Sequence, residues 1–421
     1  MSRRVALALA AAIVALHLAV RIPLLGLPIW VDEPVGVLCA TQPPREAWRI
    51  THDTYSPPLH PLMMSLWGEA LRLLGWRSTL PREGVEWSAR FADRSFVVTI
   101  PIEGEEPHRG TLGASELERW QIPPLWLLRL PTLLMSMITL VGAMAFTRWV
   151  TASAGMALCV GAMLALSPAV ARWDATVRYY SILGPPTLGA AAALWGIASC
   201  ASLRARWWLL PALSLAVALV LLTHHIGAFS LPFLGLWLMF VCGRIHWRRT
   251  LAGGLAMLAG LALFLLIWGP SLREQWTGSG LIAPGGAPQR DWLNSFPLQP
   301  ALPQRVLLGL DGQTGTWDLF PPWWIWTLIT ALLIATLGYV LRLVQRRATR
   351  LDALLLLWLF GAPAFAVLLN TLKPNTGGWA WRQYTSAAPA AALLFTLGFE
   401  ALRRWGRSGS GEEPPVELKR A

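Results

Sequence analysis

Apolar residues in this chain come in runs of about twenty, parted by short polar joints that are mostly arginine. A helix of that length spans the hydrocarbon layer of a bilayer. The pattern predicts membrane helices near 5–27, 125–147, 152–171, 179–200, 207–223, 226–242, 250–269, 322–342, 351–371 and 384–402. Ala152 to Ala171 is the cleanest of these. The first run follows Arg3-Arg4, is long, and lacks a small-residue cleavage site, so it reads as a retained span rather than a removed signal. Gly184-Pro185-Pro186 is the one interruption inside a span and predicts a bend.

Two longer polar segments break the rhythm, at 28–124 and 270–321. In the first, Pro57 to Leu74 carries apolar residues at helical spacing with Glu69 and Arg72 between them, which predicts a helix lying along the membrane surface. Arg94 to Ile102 reads as a strand and Glu103 to Pro107 as a turn, giving a small insert of mixed structure. The second segment is rich in Gly, Pro and Trp and suits a lid or acceptor groove. The expected fold is an all-α polytopic membrane protein of about ten helices occupying 1–402, with 403–421 as a disordered cytoplasmic tail.

Composition agrees, since 55% hydrophobic against 14% charged residues describes a chain that needs lipid as solvent. Many tryptophans, Trp30, Trp126, Trp149, Trp207, Trp208, Trp323 and Trp324 among them, stand where runs begin or end, at headgroup depth. The net charge of +12 raises the question of nucleic acid, but the arginines fall in small clusters between apolar runs, and no nucleic-acid partner is expected. Cys159, Cys200 and Cys242 lie in or at the ends of runs and Cys39 has no evident partner, so neither a disulfide framework nor a thiolate metal site is expected.

Alternate short joints hold Arg148, then Arg204 and Arg206, then Arg244, Arg248 and Arg249, then Arg342, Arg346, Arg347 and Arg350, which marks that side as cytoplasmic. The opposite joints hold only Arg172, Arg178, Lys373 and Arg382. Both termini are then cytoplasmic and both long segments extracytoplasmic. Four polar clusters fall on that outer face: Asp32-Glu33; Arg172, Asp174 and Arg178; His224-His225; and Arg382 with Tyr384. An ionisable group near a span is costly, about 2.5–3.5 kcal/mol at the bilayer centre, and is normally kept in a cavity or pathway. Carboxylates, several arginines and a membrane cavity suit group transfer from a lipid-linked phosphate donor, whose leaving group is already an anion and needs positive charge rather than a proton. One carboxylate acting as base on an acceptor hydroxyl would suffice; charge alone does not choose between Asp32 and Glu33. A transporter or flippase of a lipid-linked substrate would use the same charges as a pathway, though internal repeats or paired broken helices, usual in transporters, are not evident.

At these residues the sequence resembles the GT-C class of polytopic glycosyltransferases, in particular the bacterial branch related to protein O-mannosyltransferases and to aminoarabinose and rhizobial galacturonic acid transferases. The resemblance rests on WVDEPVG at Trp30 to Gly36, YSPPLHPLMMSLW at Tyr55 to Trp67, Arg129-Leu130-Pro131, Leu166-Ser167-Pro168 followed by Asp174, Arg178 and Tyr179, Thr223-His224, and Arg382 with Tyr384. It implies an enzyme of the bacterial inner membrane that moves a sugar, with inversion, from a polyprenyl-phosphate donor to a hydroxyl of a glycolipid, polysaccharide or protein acceptor. By position it implies Asp32 as base with Glu33 supporting it, Asp174 as a second acidic residue, and Arg178 and Arg382 on the donor phosphate. Arg172, Tyr179, His224, His225 and Tyr384 would support them. Members differ in using a divalent cation; Asp32 and Asp174 would suit either arrangement, and no essential metal or other cofactor is expected. The chain departs from the pattern in about forty extra residues between Trp76 and Trp126, and in Ser56, with His60 following, where a histidine commonly precedes the Pro-Pro pair.

Overall fold

The structure is a computed structural model. It describes residues 1–28, 33–53, 57–82, 86–90, 95–100, 106, 108–111, 114–200, 202, 204–243, 246–277, 307, 321–372 and 386–408. Asp32, Arg382 and Tyr384 lie outside the described residues, as does the side chain of His225.

Helix α1 (Arg3–Arg21), capped by Ser2 and extended by a 3-10 turn over Ile22–Gly26, opens the chain. Three short helices follow on the outer segment, α2 (Pro34–Thr41), α3 (Pro44–Asp53) and α4 (Leu59–Leu73). The helix expected between Pro57 and Leu74 is thus present as α4, at nearly the expected bounds. Strands β1 (Glu86–Arg90), β2 (Ser95–Ile100) and β3 (His108–Thr111) form an antiparallel sheet in the order β1-β2-β3, with Ser88 opposite Val97 and Val98 opposite Gly110. Helices α5 (Ala114–Arg119) and α6 (Leu125–Leu128) return the chain to the bundle.

The bundle then consists of α7 (Leu130–Thr151), α8 (Ala154–Leu166), α9 (Pro168–Asp174), α10 (Tyr180–Ser199), α11 (Leu209–Thr223), α12 (His225–Trp237, continued by a π turn to Cys242), α13 (Trp247–Thr277), α14 (Pro322–Val344), α15 (Arg350–Leu372) and α16 (Ala388–Ser408). Among the described residues, five helices are long and apolar enough to cross a membrane: Arg3–Gly26, Leu130–Thr151, Tyr180–Ser199, Trp247–Arg273 and Pro322–Val344. The bent pair α8–α9 makes a sixth if it is one span, and shorter apolar helices cover Leu209–Thr223 and Gly227–Val241. Helices therefore occupy every position where an apolar run predicts one, and α14 turns Trp323, Leu333 and Leu337 outward, as a lipid-facing helix does.

Two expectations change. The run Ala152 to Ala171 is not one straight helix: α8 and α9 meet at 64°. Proline disfavours helical backbone at the residue before it, and Ser167 adopts φ −67°, ψ 116°, ending α8 while its side chain accepts from Val170 N–H to start α9. Conversely, α13 runs through Pro270 to Thr277, past the expected end at 269, and α10 runs through Pro185 and Pro186, so none of the three prolines ends its helix.

Three apolar clusters meet at one segment. Ala169, Trp173, Tyr179 and Tyr180 belong to the main core of the bundle. Val177 packs into the core under α2, α3 and α4. Ala171 and Ala175 pack with Leu24, Leu25, Leu133 and Ile325. Residues 169–180 are thereby held from three sides, and this segment carries Arg172, Asp174, Arg178 and Tyr179.

Candidate functional site

The C-terminal end of α1, the N-terminal ends of α2, α7 and α10, the α8–α9 break and the C-terminal end of α11 come to one end of the bundle. They bring Glu33, Arg129, Arg172, Asp174, Arg178, Tyr179 and His224 with them. Helix ends carry unsatisfied backbone groups, so charges gathered there have partners to find.

Glu33 finds several. Arg129 Nε donates to its Oε1 at 2.9 Å and an Arg129 terminal nitrogen to its Oε2 at 2.6 Å, a two-pronged pair in which the side chains are 1% and 0% exposed. Val177 N–H also donates to Oε1, at 2.7 Å. Arg129 spends its remaining donors on Leu25, Leu27 and Pro28 carbonyls, the orphan acceptors where the first helix ends. One ion pair thus ties α2, α7, the end of α1 and the 175–179 turn. Gly36 permits this: a Cβ there would lie 2.7 Å from the Val177 carbonyl oxygen and 3.0 Å from His60 Cε1.

The same device recurs about one turn deeper. The Arg21 guanidinium donates to the Leu164 and Ala165 carbonyls, left without helical partners by the α8 break, at 3.0 and 2.8 Å. Its Nε donates to Asp174 Oδ2 at 2.7 Å, with Arg21 fully buried. The third carbonyl of the break, Leu166, accepts from Trp324 Nε1. Ser136 donates its hydroxyl to Asp174 Oδ2 at 2.6 Å, so the Ser136 oxygen accepts from His17 Nε2, also at 2.6 Å, and His17 carries its proton on Nε2. A cavity of about 30 Å³, roomy enough for about one water, adjoins His17, Ser136, Asp174 and Ser181.

Arg172 is buried and couples electrostatically to Glu33 and Arg129. Arg178 is half-buried, its guanidinium 5.0 Å from the Tyr179 ring centre, and Tyr179 in turn stacks on the His224 ring at 3.7 Å. Tyr180 and Trp173 extend the aromatic group. His60, on α4, is buried with Nε2 unbonded among the described residues. Burial, and next the charge of Arg178, push it down to about 3, so it is neutral at physiological pH.

Of the residues expected from sequence, the structure gathers Glu33, Arg172, Asp174, Arg178, Tyr179 and His224 at one end. Asp32, Arg382, Tyr384 and the His225 side chain are outside the described residues. Asp174 Oδ2 is taken up by the Arg21 guanidinium and the Ser136 hydroxyl, and among the described residues no three His, Cys, Asp or Glu side chains converge as a metal site. Sequence reasoning passed over Arg21, His17 and Arg129 as site residues. The signal for the first two was available: an arginine and a histidine inside an otherwise apolar span.

No protein-family profile and no curated protein matches the chain. Among solved structures, ArnT from Cupriavidus metallidurans in the apo state superposes with a TM-score of 0.50 at 17% identity, over 95% of this chain. ArnT from the same organism bound to undecaprenyl phosphate superposes with a TM-score of 0.50 at 16% identity. The chain spans 62% of the length of those ArnT chains. The chain therefore shares the fold of the matched part of ArnT.

Proposed function

We propose that this protein is a glycosyltransferase of the bacterial inner membrane that transfers a sugar from a polyprenyl-phosphate donor to a hydroxyl of a glycolipid, polysaccharide or protein acceptor on the extracytoplasmic face. The observation that carries the reading is the gathering of Glu33, Arg172 and Arg178 at one end of a bundle with the ArnT fold. All ten helices at predicted positions cross the membrane in this reading, with both termini cytoplasmic.

Asp32 is the proposed base. Both oxygens of its neighbour Glu33 are already turned to Arg129 and Val177 N–H, which leaves Asp32 as the carboxylate of the pair to meet an acceptor hydroxyl. Asp32 would take the acceptor hydroxyl's proton as that oxygen attacks the anomeric carbon from the face opposite the phosphate, which leaves with the bonding pair and gives inversion. Arg178 and Arg382, with Arg172 behind them, would offset the charge left on the phosphate. A transporter reading would want a second, symmetry-related broken helix beside α8–α9, and the described residues contain one such pair.

The deciding experiment replaces Asp32 by Asn in purified protein and follows transfer from a synthetic polyprenyl-phosphate sugar to membrane acceptors. Loss of about two orders of magnitude or more in kcat, with donor binding kept, is expected for a general base; unchanged transfer would remove Asp32 from the role.

A further inference from the structure

We propose that Asp174 acts as a positioning residue and that Arg21 is its partner in that role, the pair forming a clasp that sets the α8–α9 break and with it the direction of Arg172 and Arg178. The proposal rests on the glycosyltransferase reading for its functional half only; the clasp itself is a statement about the fold.

Asp174 is an attractive second acidic group in the sequence, but its surroundings direct it inward. Oδ2 takes bonds from Arg21 Nε and Ser136 Oγ. Arg21 contributes more than charge: its other two nitrogens hold the Leu164 and Ala165 carbonyls. One planar guanidinium therefore spans the end of α8 and the end of α9, and its pairing with Asp174 joins them. α9 is seven residues long, and Arg172 lies two residues before Asp174 and Arg178 four after it. A rotation of so short a helix carries Arg172 with it and displaces the start of the turn that leads to Arg178. The main core, the core beneath α2–α4 and the small cluster around Leu24 all touch residues 169–180, so the clasp sits at the point where their packing is coordinated.

A double-mutant cycle separates positioning from chemistry. Arg21→Gln and Asp174→Asn are made singly and together, and each protein is followed for unfolding temperature in detergent and for sugar transfer from a polyprenyl-phosphate donor, including its pH profile. Each single change leaves a buried charge without its counter-charge, so each is expected to lower the unfolding temperature and to cut transfer by about 100-fold, the scale of a small misplacement of reacting groups. The double variant, neutral on both sides, is expected to regain most of both losses, with a pH profile of wild-type shape. A single variant that does not fold while the double does is the same result in stronger form. Recovery of stability with transfer still at the Asp174→Asn level would overturn the positioning role and return Asp174 to the chemistry. Additive losses, or a double variant that fails to fold, would overturn the clasp. If the wild-type protein transfers no sugar, the glycosyltransferase reading fails, and the unfolding temperatures alone still decide whether Arg21 and Asp174 are coupled.

Discussion

Two arginines perform one task at two depths. Arg129 and Arg21 each join a carboxylate to the orphan carbonyls of a helix that ends inside the protein. A lysine has the charge but not the fork, so Arg129→Lys keeps at most part of this bonding. Removing one partner of a buried pair costs about 3–5 kcal/mol, and Arg129→Lys is expected to approach that loss in detergent unfolding; a change under about 1 kcal/mol, the range of exposed pairs, would contradict the burial described. His60 supplies a pH signature. Its folded-state value is depressed to about 3 from 6.5, so below 6.5 the unfolded chain gains a proton that the folded one refuses. Its contribution is full above pH 6.5 and falls by about 1.4 kcal/mol for each pH unit down to about 3. His60→Gln is expected to flatten the acid limb of unfolding temperature against pH between 6.5 and 4. An unchanged limb would show that His60 is protonated in the fold.

At the level of elements, the most informative join is Ser167-Pro168. An apolar run crossing it has the composition of one span, and hydropathy cannot see that the residue before proline leaves helical backbone. Three long-range partners make the break tolerable in an apolar bundle: Arg21, Trp324 and the Leu307 carbonyl that accepts from Ser167. None is near in sequence. Pro185, Pro186 and Pro270 show the converse, since a helix packed by its neighbours can carry a proline. Close crossings are equally specific. Gly68 of α4 meets the Ala40 carbonyl so tightly that a Cβ would overlap it. Gly68→Val is therefore expected to separate α2 from α4 and destabilise the outer segment by several kcal/mol, on the scale of overpacking at a rigid contact; limited proteolysis between residues 28 and 82 would report it, and an unaltered cleavage pattern would show that α4 is free to move.

For the whole molecule, the alternation of arginine-rich and arginine-poor joints predicts that the end gathering Glu33, Asp174 and Arg178 faces away from the cytoplasm. Reporters fused after Trp76 and after Arg347 are expected on opposite sides of the membrane. Finding both on one side would collapse the proposed orientation and separate the site from an extracytoplasmic donor. The opposite end of the bundle has an ordered cluster of its own, where Asp352 accepts from Arg342, Tyr339 and Thr349 across the α14–α15 turn. Arg342, counted in the sequence as a topology signal, therefore also closes a hairpin.

The sequence by itself determined the class of molecule, the positions of the bundle helices and of α4, the strand at Ser95–Ile100 and the grouping of polar clusters at alternate joints. These are legible because bilayer thickness, helix rise and strand alternation act on residues close in the chain. Tertiary structure alone decided which carboxylate is occupied and by what. Glu33 and Asp174 read alike beside Asp32 as acidic residues near a span end, yet each is bonded to an arginine 96 or 153 residues away in sequence. Pairing over such distances depends on which helix ends are brought together in space, and local sequence patterns hold no record of that.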